Sequence, residues 1–145
     1  MYKRILIATD GSDLAQKGVR HGLMLAKSLA TKATVVTATE PWTAVVAGEM
    51  GMAFPIDDYD RACVANAAKT LSAASALATE IGVDCDVQHA KDTFPADGIV
   101  EAAKRLDCDL IVMASHGRRG VSRLLLGSQA NKVVTHSTVP VLIVR

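Results

Sequence analysis

The sequence predicts an α/β protein, a single doubly wound domain over residues 1–145 whose five-stranded parallel sheet carries helices on both faces. Three observations predict it. Short apolar runs alternate with longer stretches of helical spacing from one end of the chain to the other. Half of the residues are hydrophobic but only 3% are aromatic, so the core must be built from Val, Ile, Leu and many Ala, a set that suits helices lying close on a parallel sheet. The length, 145 residues, is that of one domain with a sizeable core.

The elements follow in order. Arg4–Thr9 is a buried strand beginning almost at the N-terminus, and Asp10-Gly11-Ser12 breaks it. Ser12 or Asp13 can cap the next helix. Ala15, Gly18, Val19, Gly22, Leu23, Ala26 and Leu29 hold helical spacing to about Ala30. Ala33–Thr39 is a second strand, ended by Glu40-Pro41. The apolar stretch 42–56, with Gly48, Gly51 and Pro55, has no clear period; it is open as a self-packed loop, a cover over a ligand or part of an interface. Asp57-Asp58 begin a long Ala-rich helix to Ile81, closed by Gly82. Val83–Ala90 is a third strand, Lys91–Phe94 a loop, and Pro95 opens a helix to about Leu106. Asp109–Met113 is a fourth strand, Ser128–Ser137 a short helix, and Pro140–Arg145 a fifth strand.

Bulk properties narrow the function. Sixteen basic and fifteen acidic residues leave a net charge of +1, which gives no general attraction to nucleic acid or to a membrane surface. No apolar run approaches the roughly 20 residues needed to span a bilayer, and no signal-peptide pattern precedes the first strand. Cys63, Cys85 and Cys108 are scattered, odd in number and without a CxxC pair, so they read as small core residues in a reducing compartment. A cytoplasmic protein is expected.

In an open parallel sheet, ligands bind beyond the carboxyl ends of the strands, where strand order reverses. That rule selects Thr9 and Asp10 after the first strand, Ala38–Glu40 after the second and Ala114–Gly117 after the fourth; Ala8, at the end of the first strand, is a further candidate. If the first and fourth strands are neighbours, Asp10 and His116 face one crevice. The segment from Asp109 to Ser128 is the most informative: strand, small-residue turn (Ala114, Ser115, His116, Gly117), basic loop, then Gly127-Ser128 at a helix start. Backbone N–H groups and the positive end of a helix dipole there suit an anion such as phosphate. Arg118, Arg119 and Arg123 make the loop locally basic; they read equally as phosphate neutralisers or as a solvated surface run.

The chain resembles the universal stress protein family over essentially its whole length. The likeness is carried by the opening Ile-Leu-Ile-Ala-Thr-Asp-Gly-Ser, the Val-Met-Ala-Ser-His-Gly-Arg-Arg-Gly run, the Leu-Leu-Leu-Gly-Ser junction and the closing Val-Pro-Val-Leu-Ile-Val. ATP-binding members share the pattern Gly-x2-Gly-x9-Gly-(Ser/Thr). Here Gly117, Gly127 and Ser128 hold the last three positions, with Ala114 in place of the first glycine. The resemblance implies an adenine nucleotide α-hydrolase-like, Rossmann-like fold and ATP with Mg²⁺ or Mn²⁺ as ligand. It assigns Asp10 to the ribose or the metal–phosphate end, Ala38 to recognition of the adenine edge by backbone groups, and Met113 and Ala114 to the ribose side. Gly117, Gly127, Ser128 and Gln129 are expected to offer backbone N–H groups to the phosphates, with Ser128 doubling as the helix cap and Arg118 nearby. For Asp10 an Asx turn before the first helix is the alternative; for His116, a turn residue holding loop backbone.

Three functions of different class fit these residues. The first is a nucleotide-responsive regulator of the stress response that hydrolyses ATP slowly or not at all. The second is a slow ATPase, for which the sequence offers no Walker-A lysine and no obvious base. The third is a dimeric interaction module without nucleotide. The family also implies a homodimer through the apolar terminal strand, whose exposed edge would otherwise be a liability; an unidentified protein partner is also compatible. A dinucleotide dehydrogenase lacks its glycine fingerprint after the first strand, and a serine hydrolase lacks its first elbow glycine.

Overall fold

The computed structural model describes residues 1–48, 55–117 and 125–145. Five strands, β1 (Arg4–Ala8), β2 (Lys32–Ala38), β3 (Cys85–Ala90), β4 (Leu110–Ala114) and β5 (Val141–Val144), form one parallel sheet in the order β3-β2-β1-β4-β5. The helices are α1 (Asp13–Ser28), α2 (Trp42–Gly48), α3 (Ile56–Ile81), α4 (Pro95–Arg105) and α5 (Ser128–His136). From β1 the chain winds outward to β2 and β3, then returns to β4 on the other side of β1. The order reverses between β1 and β4.

Alternation along the strands sorts the core into two layers. Ile5, Ile7, Val35, Leu110 and Val112 face α1 and α3, packing on Val19, Leu23, Ala26, Leu71, Ala74 and Ala78. Leu6, Ala8, Val36, Ile111 and Met113 face α4 and α5, packing on Ile99, Val100, Ala103, Ala130 and Val133. The low aromatic content has its counterpart in closeness of approach. A Cβ added at Gly22 would meet Ile7 Cγ1 and Cδ1 at 2.8 Å, and one at Gly18 would stand 3.3 Å from the Ala114 amide nitrogen. These two glycines, one turn apart, let α1 lie almost on the strands.

Helix ends follow local chemistry. Ser12 caps α1, its Oγ accepting from the Ala15 N–H at 3.3 Å. Pro95 takes the first position of α4. Three helices end in the same way, on a left-handed residue followed by a bond back into the last turn: Ala30 (φ 51°) with Thr31 N–H to Ala26 O, Gly82 (φ 83°) with Val83 N–H to Ala78 O, and Asp107 (φ 51°) with Cys108 N–H to Ala103 O.

Several expectations are corrected. Helix α1 stops at Ser28, so Leu29 lies past its apolar face and is exposed. Ser128 is not the cap of α5; Gly127 holds that position, no side chain caps the helix, and Ser128 is its first residue. Only Cys108 is a core cysteine, where burial raises its thiol to about 11. Cys63 and Cys85 are half-buried, because α3 and the edge strand β3 are covered on one side only. β3 begins at Cys85, and β4 runs one residue further than expected, through Ala114. The stretch 42–56 contributes a two-turn helix at its start and the first residue of α3 at its end; residues 49–54 lie outside those described.

Candidate functional site

The reversal of strand order opens a crevice at the carboxyl ends of β1 and β4, and a cavity of about 670 Å³ occupies it. Its volume is typical of small-molecule sites. Ala8, Thr9, Asp10, Ala38, Met113, Ala114, His116, Gly117, Gly127, Ser128 and Gln129 all line this cavity. Of the positions singled out from sequence, Arg118, Arg119 and Arg123 lie outside the described residues.

The floor is strand backbone. At β2, Ala33 N–H donates to Asp84 O and Thr39 N–H to Ala90 O. Odd-numbered residues therefore turn their backbone toward β3, and even-numbered ones toward β1, where Thr9 N–H donates to Val36 O. Ala38 is the next even residue, and β1 has already ended at Ala8. Its N–H and C=O face the crevice rather than a ladder partner. Thr39 Oγ1 lies 2.6 Å from His89 Nε2 behind this edge; burial, then nearby Lys91, lowers the pKa of His89.

The turn after β1 is built by its own side chains. Gly11 (φ 81°) supplies the left-handed step, its N–H donating to Thr9 Oγ1 at 3.2 Å, and Ser12 N–H donates to Asp10 Oδ1 at 2.9 Å. The Asx turn read as an alternative for Asp10 is thus present. Asp10 still faces the glycine loop, since a Cβ added at Gly117 would run into Asp10 Oδ2. Its carboxylate and Gly117 share one side of the crevice, as the adjacency of β1 and β4 requires. His116 is half-buried, with Nδ1 3.0 Å from Ser115 Oγ. That contact fits a residue holding its own turn.

At the far wall, Gly127 N–H donates to Ser115 O at 2.8 Å. The amide expected to meet phosphate is therefore engaged by the protein. A Cβ at Gly127 would fall 2.8 Å from that same carbonyl oxygen and 3.3 Å from His116 Cα. The glycine is required by a close approach of backbone to backbone. Among the described residues, the donors without a backbone acceptor lie one step on: Ser128, Gln129 and Ala130 form the first turn of α5, whose amides have no acceptor four residues back within the helix. The Gln129 side chain is occupied elsewhere, its Oε1 accepting from Ala96 N–H at 3.2 Å and so binding α5 to the start of α4. Ala114, in place of the first motif glycine, is an ordinary buried strand residue outside the left-handed region. Alanine fits there without backbone strain.

Sequence reasoning missed the wall supplied by α3. Tyr59, Cys63, Asn66, Ala67 and Thr70 line the cavity, together with Thr37 and Val45; Thr39 and Glu40, expected after the second strand, line it too. Tyr59 Oη donates to Glu40 O at 2.7 Å, tying α3 to the end of β2; burial and the neighbouring Cys63 push its phenol above the ordinary range. The spacing 59, 63, 66, 67, 70 is a helical stripe of mixed polarity, and that is the signal that could have found it. Among the described residues, the lining contains neither lysine nor arginine, and no cluster of three or more His, Cys, Asp or Glu could hold a metal unaided.

Comparison with known proteins agrees with this architecture. The universal stress protein family matches residues 1–145. Curated relatives include universal stress proteins of Thermus aquaticus, 35% identical with all of both chains covered, and of Bacillus subtilis, 31% identical with the same coverage. Among solved structures, a universal stress protein in complex with cAMP superposes with a TM-score of 0.71 at 26% identity, covering 99% of this chain and 97% of the other. One from Archaeoglobus fulgidus in complex with dAMP superposes at 0.72 and 22% identity, covering 99% and 98%. The fold is the adenine nucleotide α-hydrolase-like fold of these proteins. The chain belongs to the universal stress protein family.

Proposed function

We propose that this protein binds an adenine nucleotide, ATP with Mg²⁺ or Mn²⁺, in the crevice between β1 and β4, and acts in the cytoplasm as a nucleotide-responsive regulator with slow or no hydrolysis. The observation that carries the reading is the outward-turned backbone of Ala38 in the same cavity as Asp10 and the first turn of α5. A backbone donor and acceptor side by side suit the edge of an adenine ring. The open amides of α5 suit phosphate. Ligands of related proteins, cAMP and dAMP, belong to the same chemical class.

A divalent ion fits the site as a partner of the phosphates rather than as a resident of the protein. Asp10 is the carboxylate positioned beside the glycine loop, and one carboxylate plus phosphate oxygens and water is an ordinary Mg²⁺ environment. The ion would supply charge neutralisation. Rapid hydrolysis needs an oriented water and cationic stabilisation of the γ-phosphate, and the described lining offers no lysine, no arginine and no aligned base.

Titration calorimetry with ATP and Mg²⁺ tests this: heat saturating at one site per chain is expected, with no phosphate release over many minutes. Absence of heat and of any thermal shift at millimolar ATP would favour the interaction module without nucleotide. We also propose a homodimer through β5. It is an edge strand, and Ser115 N–H to Val144 O and Ile111 N–H to Pro140 O turn its even residues toward β4. Val141 and Ile143 thus present backbone groups to a second copy.

A further inference from the structure

A second cavity, of about 530 Å³, lies between α1 and α3 on the opposite side of the β1 turn. It touches the first through Thr9, Asn66 and Thr70, which line both. Its walls carry Lys17 and Arg20 from α1 and Lys69 from α3, with Asp13 the one carboxylate among its lining residues. Lys17 and Arg20 are one turn apart on a single helix face, and α1 and α3 pack side by side on the same layer of the core. The two helices therefore present their cations across one groove. None of the three makes an ion pair among the described residues; the pairs present are Lys32–Asp84 and Arg61–Asp58. In a chain of net charge +1, three cations to one carboxylate make a local excess of positive charge in a concave site. Gln16, Asn66, Thr70 and Thr9 add neutral hydrogen-bonding groups, and Gly11 and Asp13 bring the start of α1, its positive dipole end, into the lining.

We propose that this groove is a second anion site, one that takes a small polyphosphate. Phosphate chemistry suits it better than a single carboxylate, because three cations on two walls match several charges spread along one ligand. The occupant is either a free phosphorylated small molecule or the distal phosphates of a ligand whose other end sits in the first cavity. Binding depends on the groove and not on the nucleotide reading.

Inorganic tripolyphosphate is the probe. Calorimetry on the wild-type protein, on the triple variant Lys17→Gln, Arg20→Gln, Lys69→Gln, and on a charge-matched control with Lys91→Gln, Lys104→Gln, Lys132→Gln separates the groove from general charge. The triple variant is expected to lose about tenfold in affinity or more, as removal of three exposed ionic contacts implies, while the control stays within about twofold. Wild-type protein saturated with ATP distinguishes the two sources: tripolyphosphate still binding there marks a separate molecule, and competition marks one ligand spanning both cavities. No binding by the wild type at millimolar tripolyphosphate, or equal losses in the triple variant and the control, overturns the proposal. Failure of ATP to bind removes only the arm that distinguishes the two sources and leaves the comparison of wild type, triple variant and control intact, so the two readings fail separately.

Discussion

Gly127 has a different physical role from the one its motif suggests. Its amide is spent on Ser115 O, and its missing side chain leaves room for that carbonyl at 2.8 Å. Gly127→Val should therefore act twice. It should cost about 1–3 kcal/mol of stability, the range for forcing atoms into a packed site, and weaken ATP at least tenfold by displacing the first turn of α5. Urea unfolding and calorimetry on the same preparation check the pair; an unchanged unfolding midpoint with lost binding would mean the glycine serves the ligand alone. Ala30 is the converse case. It holds φ 51°, where a Cβ costs roughly 1 kcal/mol, so Ala30→Gly should raise stability by about 0.5–1 kcal/mol in the same assay. At this scale the sequence was only partly readable. Gly82 announced its left-handed conformation, whereas Ala30 and Asp107 adopt the same one through the bonds of the following residue, which residue type does not encode.

Elements were more legible than their ends. β1 and β4, buried on both faces, are nearly continuous apolar runs, β2 buries Thr34 and Thr37 among its apolar residues, and α1 and α4 have the spacing of one-sided helices; each was expected within a residue or two of where it lies. β3 was harder, because an edge strand with exposed Val87 alternates weakly. The junction of β1 with β4 shows how a single side chain can fix two elements. Asp109 accepts from Lys3 N–H at 2.8 Å and Arg4 N–H at 3.1 Å, while its own amide donates to Arg4 O. Partial burial raises the carboxyl, but these backbone donors outweigh it and hold its pKa below the usual value. A carboxylate depressed in the folded state stabilises fully above its unfolded pKa, about 3.9, and loses that contribution as pH falls through the folded value. Asp109→Asn should thus be less stable than wild type at pH 7, with the difference shrinking below about pH 4. Chemical unfolding at pH 7 and pH 3 checks the sign.

For the molecule as a whole, the doubly wound topology was readable because alternation of element types leaves few alternatives, and topology placed the crevice. What the sequence did not disclose was the wall from α3, since contacts between β2 and a helix some twenty residues later depend on the crossover rather than on any local pattern. Assembly belongs to this scale too. Ile143 turns its N–H away from β4, so Ile143→Pro removes an outward donor and leaves the internal ladder intact. Sedimentation should then find monomers that keep the wild-type circular dichroism spectrum, whereas persistent dimers would place the contact elsewhere.

The bond from Gly127 to Ser115 has one more effect, on how the protein can vary. It ties the chain together on either side of positions 118–124, so Ser115 and Gly127 stay neighbours whatever the sequence between them. Lengthening a segment tethered in this way is cheap, about 0.6 kcal/mol for each doubling, and no strand has to shift to accommodate it. A lineage, or an engineer, can rewrite those residues to recruit new associates while β4 and α5 keep their registration.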